Sequence, residues 1–222
     1  MIEFRIERRF GNVSFETDPG GVSEARTGLL TVRGRKIETP LFMPVGTYAA
    51  VKTLSPRELE EIGIEIVLSN AYHLHLRPGE ALIKDLGGIH RFTGWSRGFL
   101  TDSGGFQIFS LSSLRKVTPD GIAFSSHIDG SSHFLTPENV IEIQSAIGAD
   151  IIMPLDVCIG ARSSEREAAE AAEITLQWLE RSKRAWSRME GGASLFGIVQ
   201  GNLYRRLREL CADRLAAMDL PG

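Results

Sequence analysis

Four side chains carry most of the chemistry that this sequence offers: Asn70, Asp102, Asp156 and Gln200. Each follows a short apolar run, so each is expected at the end of a strand. Two carboxylates and a primary amide on one face suit the pairing edge of a guanine-like base. That edge presents neighbouring ring N–H and amino donors beside a carbonyl acceptor. A carboxylate accepts from both donors, and an amide donates to the carbonyl. Asp156 and Gln200 are the expected pair. Phe106 offers a flat ring to stack on the base plane, as pockets for extruded bases do. Asp102 is then placed for proton transfer or charge stabilisation at a glycosidic bond. Two other readings stand beside this one. Asp102-Ser103-Gly104-Gly105 is also what a tight turn looks like, and two carboxylates serve a glycosidase equally well.

The elements that must position these groups repeat as strand, polar end, helix. Apolar strands are expected at about 41–45, 65–69, 98–101, 150–155 and 195–199. Ser55-Pro56-Arg57-Glu58 and Ser164-Glu165-Arg166-Glu167 are capping boxes that open helices, and Thr136-Pro137-Glu138 opens another. Val140, Ile141, Gln144 and Ile147 follow at helical spacing, as do Ala171, Ile174, Trp178, Ala185, Trp186 and Met189. A last helix covers about 204–217. Short buried strands alternating with amphipathic helices predict a parallel sheet with helical crossovers. In a barrel of this type the chemistry lies at the carboxyl ends of the strands, where Asn70, Asp102, Asp156 and Gln200 all fall. Residues 1–40 read as a β-rich prelude with a hairpin around Arg33-Gly34-Arg35, and residues 41–222 as the first βα units. Pro119-Asp120-Gly121 marks an inserted hairpin near 115–135. Tyr72, His73 and His75 are expected in a loop.

Composition narrows the remaining classes. The chain has 222 residues, 42% hydrophobic and 24% charged, which suits one globular domain. Its formal net charge of -3 gives no support for nucleic-acid binding by bulk electrostatics, so any such contact is expected from local patches. No apolar run approaches the roughly 18 residues of a membrane span. The start, Met1-Ile2-Glu3-Phe4-Arg5, is not a secretory signal. Cys158 and Cys211 fit neither a disulfide framework nor a zinc motif, so a cytoplasmic location is expected. His73-x-His75 lacks a third ligand at metal spacing, and His90, His127 and His133 stand isolated. The basic runs Arg181-Lys183-Arg184-Arg188 and Arg205-Arg206-Arg208 are expected as solvated helix faces, and Trp178 and Trp186 as core or interface.

The chain resembles the tRNA-guanine transglycosylases, or queuine tRNA-ribosyltransferases. The motifs that carry the resemblance run in order from Thr39-Pro40-Leu41-Phe42-Met43-Pro44-Val45-Gly46-Thr47. Leu68-Ser69-Asn70-Ala71-Tyr72-His73-Leu74, Thr101-Asp102-Ser103-Gly104-Gly105-Phe106-Gln107 and Ile128-Asp129-Gly130-Ser131 follow. Leu135-Thr136-Pro137-Glu138, Met153-Pro154-Leu155-Asp156-Val157-Cys158 and Gly197-Ile198-Val199-Gln200-Gly201 complete the set. The resemblance implies exchange of guanine at the tRNA wobble position for a 7-deazaguanine, through a covalent enzyme–ribose intermediate. It implies Asp102 as acid/base residue, Asp102 to Phe106 as pocket lining, and Asp156 and Gln200 as base readers. Asn70, Cys158 and Gly201 are possible pocket residues. Cys158 is similar to the bacterial pocket, which favours the aminomethyl precursor over queuine. The implied fold is an α/β TIM barrel, of which this chain holds about five of the eight strands. A homodimer and a structural zinc, held by three cysteines and one histidine, are also implied. The zinc ligands and the aspartate nucleophile belong to motifs that these residues do not contain. The chain alone is therefore expected to be inactive. The alternatives are a non-catalytic base-binding subunit, a truncated fragment needing a partner, or an unrelated barrel hydrolase.

Overall fold

The computed structural model describes residues 2–9, 26–111, 115–189 and 192–222; residues 10–25 of the prelude lie outside it. At the amino end, β1 (Glu3–Arg9), β2 (Arg26–Val32) and β3 (Arg35–Thr39) form an antiparallel sheet in that order. The expected hairpin is its β2–β3 half. Val32 pairs with Arg35 around a two-residue turn, in which Arg33 and Gly34 have φ of 52° and 75°. Two left-handed residues give that turn the twist its strands need. Val32 and Ile37 are buried with Ile66, Leu100 and Ile151, so this sheet covers part of one face of the central sheet.

The chain then runs through α1 (Pro56–Glu61), β4 (Ile66–Asn70), α2 (Ala71–Leu76), α3 (Glu80–Asp85), α4 (Ile89–Thr93) and β5 (Gly98–Asp102). The Ser55–Glu58 capping box opens α1, with Pro56 at its start. Helix α2 replaces the loop expected around Tyr72, His73 and His75. Its first residue, Ala71, donates its N–H to the Asp102 carboxylate 31 residues away, and its cap residue Asn70 makes no side-chain cap bond. A helix started by a distant acid leaves no local signal.

Beyond β5 come α5 (Gly105–Leu111), β6 (Arg115–Thr118), β7 (Gly121–Ser125), β8 (Ser132–Leu135) and α6 (Pro137–Ile147). The inserted hairpin is a three-stranded antiparallel sheet, because Ser132–Leu135 pairs with β7 beside the β6–β7 turn. The last elements are β9 (Ile151–Ile152), α7 (Glu165–Trp186), β10 (Ser194–Leu195) and α8 (Arg205–Ala216).

The central sheet is parallel, in the order β10-β9-β5-β4. Val45 adds a single parallel bridge to Leu68 on the far side of β4. The five expected strands therefore lie side by side in chain order. The first is only a bridge, and those expected at 150–155 and 195–199 pair over two residues each. No closed barrel is formed among the described residues. β9 stops short because Gln144 takes both backbone polar groups of Met153, and Pro154 has no N–H to offer. Side chains alternate across a strand: Ile66, Leu68 and Leu100 pack on the hairpin side, and Val67, Phe99, Ile152 and Leu195 join the helix-side core. Asn70 and Asp102 continue the hairpin-side rows.

Helices α6 and α7 pack on each other. Val140, Ile141, Gln144 and Ile147 are buried from α6, and Ala171 and Trp178 from α7. Trp178 donates to the Pro119 carbonyl (2.8 Å) and Trp186 to that of Ala193 (2.8 Å). Of the basic runs, Arg181 clamps Glu138 (2.7 Å) and Arg206 meets Glu165 (3.2 Å). Thr136 caps α6 by accepting from Asn139 N–H (3.1 Å), and Asn139 caps Thr136 in return (2.8 Å). Thr136→Ala lowers stability by about 1 kcal/mol in urea denaturation; an unchanged midpoint would show that the cap contributes nothing.

Candidate active site

Strands β4 and β5 end in register, with Asn70 opposite Asp102. The Asn70 side-chain amide donates to Asp102 Oδ2. Gln107 Nε2, from α5, donates to the same oxygen at 2.9 Å, and Ala71 N–H donates to Oδ1 at 3.2 Å. Burial pushes the Asp102 carboxyl above the ordinary carboxylate range, and the donors from Asn70, Gln107 and Ala71 pull it partly back.

Asp156 follows β9 and is 7% exposed. Its Oδ1 accepts from Ser103 Oγ (3.1 Å), and its Oδ2 accepts from Gln200 Nε2 (2.8 Å) and from the Cys158 thiol (3.3 Å). Burial again raises the carboxyl, against those three donors. The same burial, with the Asp156 charge next to it, holds the Cys158 thiol protonated far above its usual range. Ser103 also accepts from Gly105 N–H (3.4 Å), so the turn after Asp102 is tied to Asp156. Gly105 has to be glycine for this approach. A Cβ there would lie 2.3 Å from Asp156 Oδ1 and 2.7 Å from the Asp156 carbonyl oxygen.

The remaining sequence candidates fall in different places. Phe106 projects from α5 and is 62% exposed, with Phe109 beside it at 6.4 Å between ring centroids. Gly104 (φ 86°) packs over Tyr72. Gly201 packs against the backbone of α8, where a Cβ would come within 2.6 Å of Arg208 N. Its requirement is therefore helix packing. Gln200 N–H donates to Cys211 Sγ (3.3 Å), so α8 also supports the Gln200 backbone.

Two groups in the site had no assigned role in the sequence reading. Gln107 lies within the quoted motif, but its bond to Asp102 depends on α5 turning back over β5. Thr175, from α7, accepts from Val157 N–H (3.0 Å) and steadies the segment after Asp156; one threonine on a helix carries no signal of that. Isolated in the sequence, His90, His127 and His133 take ordinary hydrogen-bonding roles in the fold. His127 Nδ1 pairs with Tyr72 hydroxyl (2.9 Å), and His75 joins Glu80 (2.8 Å) and His133 (3.2 Å). His90 Nδ1 pairs with the Trp95 carbonyl (3.0 Å). Because α2 is helical, His73 and His75 point to different neighbours, His73 meeting Tyr48 and His127 edge-on or tilted. Among the described residues no group of three His, Cys, Asp or Glu side chains is placed to hold a metal ion, and no helix is long and apolar enough to cross a membrane.

The raised Asp156 carboxyl has a consequence for stability. With its folded pKa above the ordinary 3.8, the folded chain holds the proton longer than the unfolded chain. Stability therefore falls as pH rises between those two values. Measured by urea denaturation at stepped pH, the stability difference between Asp156→Asn and the parent chain moves in favour of the variant as pH rises above 3.8. A difference that stays flat with pH would mean that burial does not perturb this carboxyl.

Comparison with known proteins bears on the same motifs. The family described as queuine tRNA-ribosyltransferase matches residues 21–222. A queuine tRNA-ribosyltransferase of Thermoanaerobacter sp. (strain X514) is 56% identical over 200 residues, 90% of this chain and 53% of the relative. Those of Caldanaerobacter subterraneus subsp. tengcongensis and Desulforudis audaxviator are 54% and 50% identical, over 90% of this chain and 53% and 54% of their own lengths. The chain spans about half the length of these curated relatives. With a match that runs through all of β2 to α8 and takes in both buried carboxylates, the chain belongs to the queuine tRNA-ribosyltransferase family.

Proposed function

We propose that this chain carries the base pocket of a tRNA-guanine transglycosylase. The reaction is replacement of guanine at the tRNA wobble position by a 7-deazaguanine, in queuosine biosynthesis. One observation supports it above the others: Asp156, nearly out of water, is met by three side-chain donors, one of them the Gln200 amide. A base whose edge carries two donors and a carbonyl fits by exchange of partners. Its ring N–H and amino group take over the Asp156 oxygens. The Gln200 N–H released in this way turns to the base carbonyl. Phe106 supplies an exposed ring for stacking, and Ser103, Gly104 and Gly105 form the backbone wall next to it. Cys158, beside Asp156, is similar to the bacterial pocket and goes with the aminomethyl precursor as the incoming base.

Asp102 is the acid/base residue in this reading. A carboxyl at this position, whose burial favours the protonated form, can donate to the departing base and take a proton from the incoming one. By resemblance, the covalent bond to ribose is made by another aspartate, whose motif does not occur in these residues. By the same resemblance, the family's structural zinc is held by three cysteines and one histidine of a motif that these residues do not contain. No step is assigned to the metal. The parallel order of the strands supports reading the sheet as part of a (β/α) barrel wall. The family's homodimer and its tRNA belong to the same proposal.

Equilibrium dialysis with labelled guanine tests the pocket. Asp156→Asn keeps the shape but loses the charged acceptor, and affinity falls by about tenfold or more; unchanged affinity would remove Asp156 from base recognition. Incubated alone with tRNA, the 222-residue polypeptide incorporates no labelled guanine. Measurable incorporation would overturn the assignment of the nucleophile to another part of the family's sequence.

A further inference from the structure

Gln144 is fully buried in α6, a crossover helix, yet its polar side chain makes four hydrogen bonds. Its Oε1 accepts from Thr101 Oγ1 (2.9 Å) and from Met153 N–H (3.0 Å). Its Nε2 donates to the Met153 carbonyl (2.7 Å) and to the Val140 carbonyl (3.2 Å). Two donor and two acceptor positions are all that a primary amide possesses, and all four are used. The amide has only one admissible orientation. Turned over, its oxygen would face two carbonyls and its N–H groups would face a backbone N–H. To Met153 the side chain acts as a strand neighbour one residue long, satisfying both backbone groups where β9 has stopped pairing.

The partners lie close to the two carboxylates. Thr101 immediately precedes Asp102, and Met153 lies three residues before Asp156. We infer that Gln144 is a positioning residue, one amide that fixes the ends of β5 and β9 relative to each other and so sets the separation of Asp102 and Asp156. It touches neither carboxylate and takes no part in proton transfer. The consequence for base exchange rests on the proposed function; the geometric claim does not. A neighbouring buried tie runs directly from Ser103 to Asp156 (3.1 Å).

The test compares Gln144→Met, which keeps length and loses all four bonds, with Ile122→Ala in β7. The latter removes buried volume from the core elsewhere and destabilises without touching the pin. Carboxyl resonances of the chain labelled with carbon-13 aspartate are followed together with guanine affinity. In Gln144→Met both the Asp102 and Asp156 signals move and affinity drops about tenfold, the scale of a small misplacement of binding groups. In Ile122→Ala the unfolding midpoint falls while signals and affinity stay in place. Thr101→Val, a near-isosteric loss of one bond of the four, covers the case in which Gln144→Met does not fold, and it moves the Asp102 signal most. Unmoved Asp102 and Asp156 signals in a folded Gln144→Met or Thr101→Val chain would overturn the inference. Failure of the parent chain to bind guanine would count against the proposed function, and the carboxyl signals would still decide the role of Gln144.

Discussion

A carboxylate withdrawn from water has to be given hydrogen-bond donors, and Asp102 and Asp156 are each supplied with three. The cost of burying an unpaired charge is large enough to reject most arrangements. Donors for Asp102 come from the end of β4, the start of α2 and the body of α5. Those for Asp156 come from Ser103, from Cys158 and from Gln200 beyond β10. Six donors from separate elements must arrive together. The parallel register of β4 and β5, the helical start at Ala71 and the Cβ-free approach at Gly105 are the means by which they do.

Both faces of the sheet begin apolar. The helix side packs Val67, Phe99, Ile152 and Leu195 and turns polar at Ser69 and Thr101, the latter bonded to Gln144. The hairpin side begins as apolar rows and turns polar only at the strand ends. A carboxyl raised by burial and lowered by its donors sits between two pulls of opposite sign.

Much of this was legible in the chain. The capping boxes at Ser55 and Ser164, the turn at Arg33-Gly34 and the buried face of α6 all depend on residues within a few positions of one another. The placement of Asn70 and Asp102 at strand ends followed from counting apolar runs, whereas Asp156 and Gln200 stand four and five residues beyond the paired ends of β9 and β10. What stayed hidden depends on contacts between residues distant in sequence. Helix α2 takes its start from Asp102, and the strand expected over 150–155 is curtailed by the Gln144 side chain. Gly201 reads as a possible pocket glycine in sequence, and its close packing against α8 left no trace there. Gln144 did leave a trace: a polar residue in an otherwise apolar helical stripe, which a hydrophobic pattern absorbs without explaining.

Helix α2 serves two structures at once. Its first N–H holds Asp102, while Tyr72 and His75 on its sides join His127 and His133 of the β6–β8 insert. A helix of six residues is too short to bend between such attachments. The insert is thus mechanically in series with the buried acid, and a loop exchanged or lengthened within it is felt at Asp102 as a change of aim.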